Sequence, residues 1–245
     1  MPQPLSRVSP NPDIRIGLNA FKQLPDAAGR IIDVISIWSL IDSRLTIILA
    51  QMLKTDYEAA AAMYRAITSG QARRAALDAV SAHALAGPSF CLLQAVLKVT
   101  KPSRDTRNDF AHHVWGYDKN LSDALLLIPP DAIASLEIAS RKHREAGNLS
   151  QHKVVMTEGN QVVIVSNAPT LDHSSVAVWR QKDFDRAASA ARNADRYFAH
   201  LWIALSDSPV RDERRKLLFD DPAIDRAFET LSHKNEQAAL LRKAR

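Results

Sequence analysis

The chain has a single cysteine, Cys91, so no internal disulfide can form, and the small secreted scaffolds that depend on such staples are excluded. Glycine is scarce, at 7 residues in 245, and aromatic side chains reach only 6%, a balance that disfavours a β-sandwich or barrel. No apolar run approaches the roughly 20 residues that a membrane span requires, and the opening MPQPLSRVSPNPD lacks the apolar core of a signal peptide. The expectation is a cytoplasmic protein with no membrane partner. A glycine-rich phosphate loop, a GxSxG elbow and an HExxH pair are also missing, which turns the reading away from nucleotide-fuelled, serine-hydrolase and zinc-protease chemistry.

What is present favours helix. The apolar share is 46%, dominated by alanine, leucine and isoleucine, and the length suits one large domain or two small ones. The formal charge of +5 eases approach to a polyanion without demanding one. The expected fold is mainly α: a helical bundle with a small antiparallel β insertion between its helical halves.

Residues 1–24 carry Pro2, Pro4, Pro10 and Pro12 among polar spacers and read as an extended arm. A helical domain is expected over 25–208. Its first helix, about 26–54, places Ile31, Ile35, Trp38, Leu45, Leu49 and Met52 on one stripe. Alanine-rich helices at about 56–68 and 71–86 follow, then an apolar helix at about 89–100 and another from Pro102 to Trp115, with Gly116 as its stop. The β insertion falls at about 122–180: a strand at 124–128, a hairpin of 154–156 with 162–165 around Glu158-Gly159-Asn160, and a strand at 175–179, interrupted by a helix at about 131–146. A long helix at about 183–206 and a charged, exposed helical tail over 209–245 complete the chain.

The chemically suggestive residues lie in RNDFAHHVWG, residues 107–116. Arginine followed by histidine after four to six residues is expected by chance about twice in a chain of this composition. It occurs three times, as Arg107 with His112, Arg107 with His113, and Arg226 with His233. Helical phasing separates them. At about 100° per residue, Arg107 falls at the centre of the stripe formed by Phe110, Ala111, Val114 and Trp115, where an unpaired guanidinium is costly. His112 lies on the polar edge beside Asn108, one turn earlier, and His113 points to the far flank. Asp42 sits on the stripe of the first helix, so an ion pair of Asp42 with Arg107 is expected. Arg226 and His233 read as exposed decoys. Arg196 to His200 echoes the pattern with one residue too few, and Cys91 reads as a core residue. Adjacent His112 and His113 diverge on a helix and make a poor metal site, so no metal or other cofactor is expected.

These residues resemble the motif of the HEPN family of RNA-cleaving toxins: arginine, a polar residue that is often asparagine, a few more residues, then histidine, late in a helical bundle. The resemblance covers roughly residues 26–116 and is of moderate specificity; the strands after Gly116 depart from the simplest HEPN bundle. It implies a metal-independent endoribonuclease, the toxin of a toxin–antitoxin or phage-defence system, acting on RNA as a homodimer with an antitoxin protein as partner. Arg107, Asn108 and His112 would then be catalytic and Asp42 supporting, with His113 the lesser alternative to His112. Histidine exchanges protons near neutrality and suits acid–base work on a ribose hydroxyl, while arginine supplies bidentate charge to a phosphate. The competing reading is a non-catalytic helical module that binds a nucleotide, RNA or a protein through the same pocket.

Overall fold

A computed structural model describes residues 2–145, 155–157, 161–163 and 169–243. The chain is mainly helical with a small antiparallel sheet, and it divides into two compact units, Met1–Ile35 with Asp105–Ser189, and Ser36–Arg104 with Ala190–Arg245.

The first unit is built on the sheet, whose strands are β1 (Gln3–Pro4), β2 (Ile14–Ile16), β3 (Val114–Asp118), β4 (Ala124–Ile128) and β7 (Ala177–Arg180), in the order β1-β7-β4-β3-β2 and antiparallel throughout. Every residue of the inner strand β4 is buried. Ala124, Leu126 and Ile128 face one way and join Leu5 and Val8 of α1 (Leu5–Val8) and Ile133 and Leu136 of α7 (Pro130–Glu145). The alternation of side chains puts Leu125 and Leu127 on the opposite face, where they pair in register with Trp179 and Trp115. There Trp115 and Trp179 meet Phe110 of α6 (Lys101–His112) and Phe184 of α8 (Gln181–Ala204).

Several expectations are corrected in this unit. The helix expected to reach Trp115 ends at His112, because the β-branched Val114 and the aromatic Trp115 gain more from pairing with Ile128 and Leu127 than from another helical turn. Residues 1–24 are not a free arm: β1 and β2 form the two edges of the sheet, and Leu5 is fully buried. Pro4 is tolerated because an edge strand has one side without ladder partners. The expected hairpin is present as β5 (Val155–Thr157) paired with β6 (Gln161–Val163), but it forms its own two-stranded sheet, and its turn lies outside the described residues.

Gly116 stops no helix. It lies within β3, opposite Ile16 and Leu126, and a Cβ there would stand 2.7 Å from the Arg15 carbonyl oxygen and 3.3 Å from Ile128 Cδ1. Backbone cannot swing aside as a side-chain tip can. Gly116→Ala should therefore cost about 1–3 kcal/mol through displacement of β2. Equilibrium urea unfolding checks this, and an unchanged midpoint would show that β2 yields freely.

The second unit is helical. The part of α2 (Pro25–Leu53) from Ser36 onward buries Trp38, Ile41, Leu45, Ile48 and Met52 at alternating spacings of three and four, so this buried face is rotated slightly from the expected stripe. α3 (Tyr57–Ala66) and α4 (Gly70–Ala84) begin at side-chain caps, with Asp56 accepting from the Ala59 amide and Ser69 from the Ala72 amide. α5 (Gly87–Val99) packs against α10 (Pro222–Lys243), and Arg215 of α9 (Arg211–Phe219) donates to Ala204 O and Ser89 Oγ. The stretch expected as an exposed charged tail is thus part of a core, with Leu218, Ile224 and Ala227 buried. Cys91 is buried, as expected. Among the described residues, no helix is long and apolar enough to cross a membrane.

Candidate functional site

α6 positions the candidate residues. It follows α5 with little break, the Arg104 amide donating to Thr100 O, and Pro102 occupies its first turn, where a missing amide hydrogen costs nothing. Phe110 anchors the far end among Trp115, Trp179 and Phe184, with ring centroids 5.5, 4.8 and 5.9 Å away. With Phe110 inward, the helical period turns Asn108 and His112 outward together, four residues apart, and both are exposed.

Arg107 is half-buried. One of its terminal nitrogens donates to Asn108 Oδ1 at 3.1 Å, while its Nε is buried without a hydrogen-bond partner among the described residues. The structure thus joins Arg107 to Asn108 directly and places His112 on the same face as Asn108, with no bond between them. His113 is different. It is half-buried, with Nδ1 3.0 Å from Asp109 O and 3.5 Å from Asp109 Oδ1, so that nitrogen carries the proton and donates. His113 is thus tied back to Asp109 of α6, and His112 is the histidine that faces solvent. Burial raises the Asp109 carboxyl above the usual carboxylate range, the nearby Asp105 adds to this, and His113 opposes it.

Asp42 belongs to the second unit and Arg107 to the first. Within its own unit Asp42 is half-buried on α2 and acts electrostatically on Tyr64. Tyr64 is 7% exposed beneath the Arg73 guanidinium, which lies 5.1 Å from its ring centroid. Burial first, then the Asp42 carboxylate, pushes its hydroxyl up to about 12, against the pull of Arg73 and Arg104. Because this folded value exceeds the unfolded value of 10, the protonated tyrosine stabilises the fold fully below pH 10, and that contribution drains as pH rises towards 12. Tyr64→Phe has no proton to lose and should resist alkaline unfolding better than the parent over this window. Parallel loss of stability in the two proteins, followed by circular dichroism from pH 9 to 12, would remove Tyr64 as the cause.

A groove of about 430 Å³ also lies in the first unit, lined by Asp131, Ser135, Leu136, Thr170 and Asp172 among others, but it includes none of Arg107, Asn108 and His112. Asn108 and His112 lie on an exposed helix face, with Arg107 half-buried beside them. Among the described residues, no group of three or more His, Cys, Asp or Glu side chains is placed to hold a metal ion. Arg226 and His233 are exposed on α10. Spacing alone sets Arg196 and His200 aside in the sequence.

No family model, curated protein or solved structure matches the chain.

Proposed function

We propose that the chain is a metal-independent endoribonuclease of HEPN type, with His112 as general acid or base and Arg107 and Asn108 binding the scissile phosphate. One observation carries this reading: the half-buried Arg107 donates to Asn108 Oδ1 at 3.1 Å, and Asn108 shares its exposed helix face with His112, so a guanidinium able to bind a phosphate and an imidazole able to move a proton lie on one helix. An open face admits a polymer that a closed pocket would exclude.

The reaction forms a bond from the ribose 2′-oxygen to phosphorus and breaks the bond from phosphorus to the 5′-oxygen. His112 takes the 2′-hydroxyl proton or returns one to the departing 5′-oxygen, leaving a 2′,3′-cyclic phosphate and a 5′-hydroxyl. The guanidinium of Arg107 offsets the charge that builds on the non-bridging oxygens. One histidine serves one proton transfer, so a second copy of the chain, paired by two-fold symmetry, supplies the other. A toxin–antitoxin or phage-defence setting fits this chemistry, with an antitoxin protein to restrain it.

The test is incubation of the purified full-length chain with total RNA in excess chelator. Fragments ending in 2′,3′-cyclic phosphate are expected. Intact RNA, with any bound inhibitory protein removed, would leave the non-catalytic binding module as the better reading.

A further inference from the structure

α7 starts where Pro129 and Pro130 close off β4, and the fixed backbone of Pro130 suits the first position of a helix. One face of the helix, with Ala132, Ile133 and Leu136, packs against the buried cluster of Leu126, Ile128 and Val178. The small side chains of Ala132, Ser135 and Ala139 leave the groove of about 430 Å³ beside Leu136. Its other wall is the segment 170–175, pinned to the same cluster by Leu171, 7% exposed, and the fully buried Val176. Two backbone bonds tie that wall to α1: the Leu5 amide donates to Val176 O at 2.8 Å and the Ser6 amide to His173 O at 3.2 Å. The groove is thus built on the sheet face opposite the aromatic cluster that holds α6.

The groove carries one sign of charge. Asp131 and Asp172 both line it, and among the described residues no lysine, arginine or histidine does, although the chain has 32 Lys and Arg against 27 Asp and Glu. In the same unit Asp13, Asp123 and Asp185 each pair with an arginine, whereas Asp131 and Asp172 have no ion-pair partner among the described residues. The basic run of α7, Arg141 to Arg144, begins beyond Ala139, toward the other end of the helix. Asp172 is also set in place. Its Oδ1 accepts from the Ser174 hydroxyl at 2.6 Å and the Ser174 amide at 2.9 Å, and its backbone oxygen accepts from the Ser175 hydroxyl at 2.8 Å. The Ser174 bonds hold this carboxyl below its usual range, with a smaller pull from His173, so it is ionised at neutral pH. Its Oδ2 makes no hydrogen bond among the described residues.

We propose that this groove binds a small aliphatic ammonium ion, its alkyl chain on Ala132, Leu136 and Ala139 and its charged end held by Asp172 in the field of Asp131. An ammonium group has N–H donors and no acceptor, which suits a carboxylate with an uncommitted oxygen and the hydroxyls of Ser135 and Thr170 nearby. The apolar floor favours an alkyl chain and adds nothing to the binding of a bare metal ion, for which no group of three or more His, Cys, Asp or Glu is placed among the described residues. The volume is that of a small-ligand site, whereas a stable protein partner needs a contact of roughly 800 Å² on each side. The groove contains none of Arg107, Asn108 and His112, and the proposal stands whether or not those residues cleave RNA.

The test is calorimetric titration of the full-length chain at neutral pH and constant ionic strength with n-hexylamine, which is protonated there. Saturable binding is expected, at least about tenfold tighter than that of methylammonium, which lacks the chain, or of 1-hexanol, which lacks the charge. Asp172→Asn keeps an acceptor for Ser174 and so preserves the fold, and it should weaken hexylamine about tenfold while leaving hexanol unchanged. Asp131→Asn should weaken hexylamine by a smaller factor. Ala139→Leu fills the floor without altering charge and should abolish binding, and Asp207→Asn, which removes the same charge from an exposed position of the second unit, should leave it intact. Hexylamine binding no tighter than methylammonium overturns the proposal, as does undiminished binding in Asp172→Asn. Tighter binding of Nα-acetyl-lysine amide than of hexylamine also overturns it, by assigning the groove to a lysine side chain of a protein partner.

Discussion

Phe184→Ala should destabilise the chain by about 3–5 kcal/mol, the cost of removing a large aromatic side chain from a core that cannot close around the void. Phe184 is fully buried, and its ring lies 5.4 Å from Trp179, 5.9 Å from Phe110 and 6.0 Å from Trp115. Those three rings belong to β7, α6 and β3, so a cavity at Phe184 loosens the sheet and the helix that carries the candidate site at once. Against a typical domain stability of about 5–15 kcal/mol, the loss is a large fraction of the total. Phe184→Leu keeps most of the volume and should cost about 1.5 kcal/mol or less. Urea unfolding followed by tryptophan fluorescence reports on the same cluster, because Trp115 and Trp179 lie within it. A loss below about 1 kcal/mol for the alanine variant would mean that the rings repack and that this cluster does not hold α6 in place.

The long helices are legible in the sequence because their apolar residues recur at helical spacing over many turns. α2, α5, α7 and α8 begin and end within about two residues of their expected limits, and β4 matches its run of five apolar side chains residue for residue. β3 is hidden for a specific reason: Val114 and Trp115 extend the wheel that Phe110 begins, and nothing local distinguishes a further helical turn from a strand. The choice is made by Ile128 and Leu127, which are distant in sequence. The prolines of residues 1–24 mask the edge strands, although Leu5, Val8, Ile14 and Ile16 offer apolar anchors to the sheet. In α9 and α10 the sparse apolar residues Leu218, Ile224 and Ala227 are outweighed by the charges around them, yet these few positions face inward. At the site, Asn108 and His112 are legible as one face because their spacing is that of a helical turn. The commitment of His113 to Asp109 is not, since it depends on the helix ending one residue earlier.

His112→Ala should lower RNA cleavage by roughly 10²-fold or more while leaving stability within about 1 kcal/mol of the parent, because the substitution removes a proton-transfer group and no buried volume. The exposure of His112 at the last position of α6 makes the two effects separable. His113→Ala is the informative neighbour. It breaks the hydrogen bond to Asp109 O and should cost about 1 kcal/mol of stability, with a smaller effect on cleavage than the change at His112. Exchanged sensitivities, with cleavage lost at His113 and kept at His112, would move the catalytic role to the half-buried ring. His233→Ala and Arg226→Ala on α10 share the spacing of the motif by chance alone and should change neither property. All variants are compared in excess chelator with matched melting curves, so lost activity cannot be mistaken for lost protein. If His112→Ala cuts RNA as fast as the parent, the ribonuclease reading is abandoned and the non-catalytic binding module takes its place.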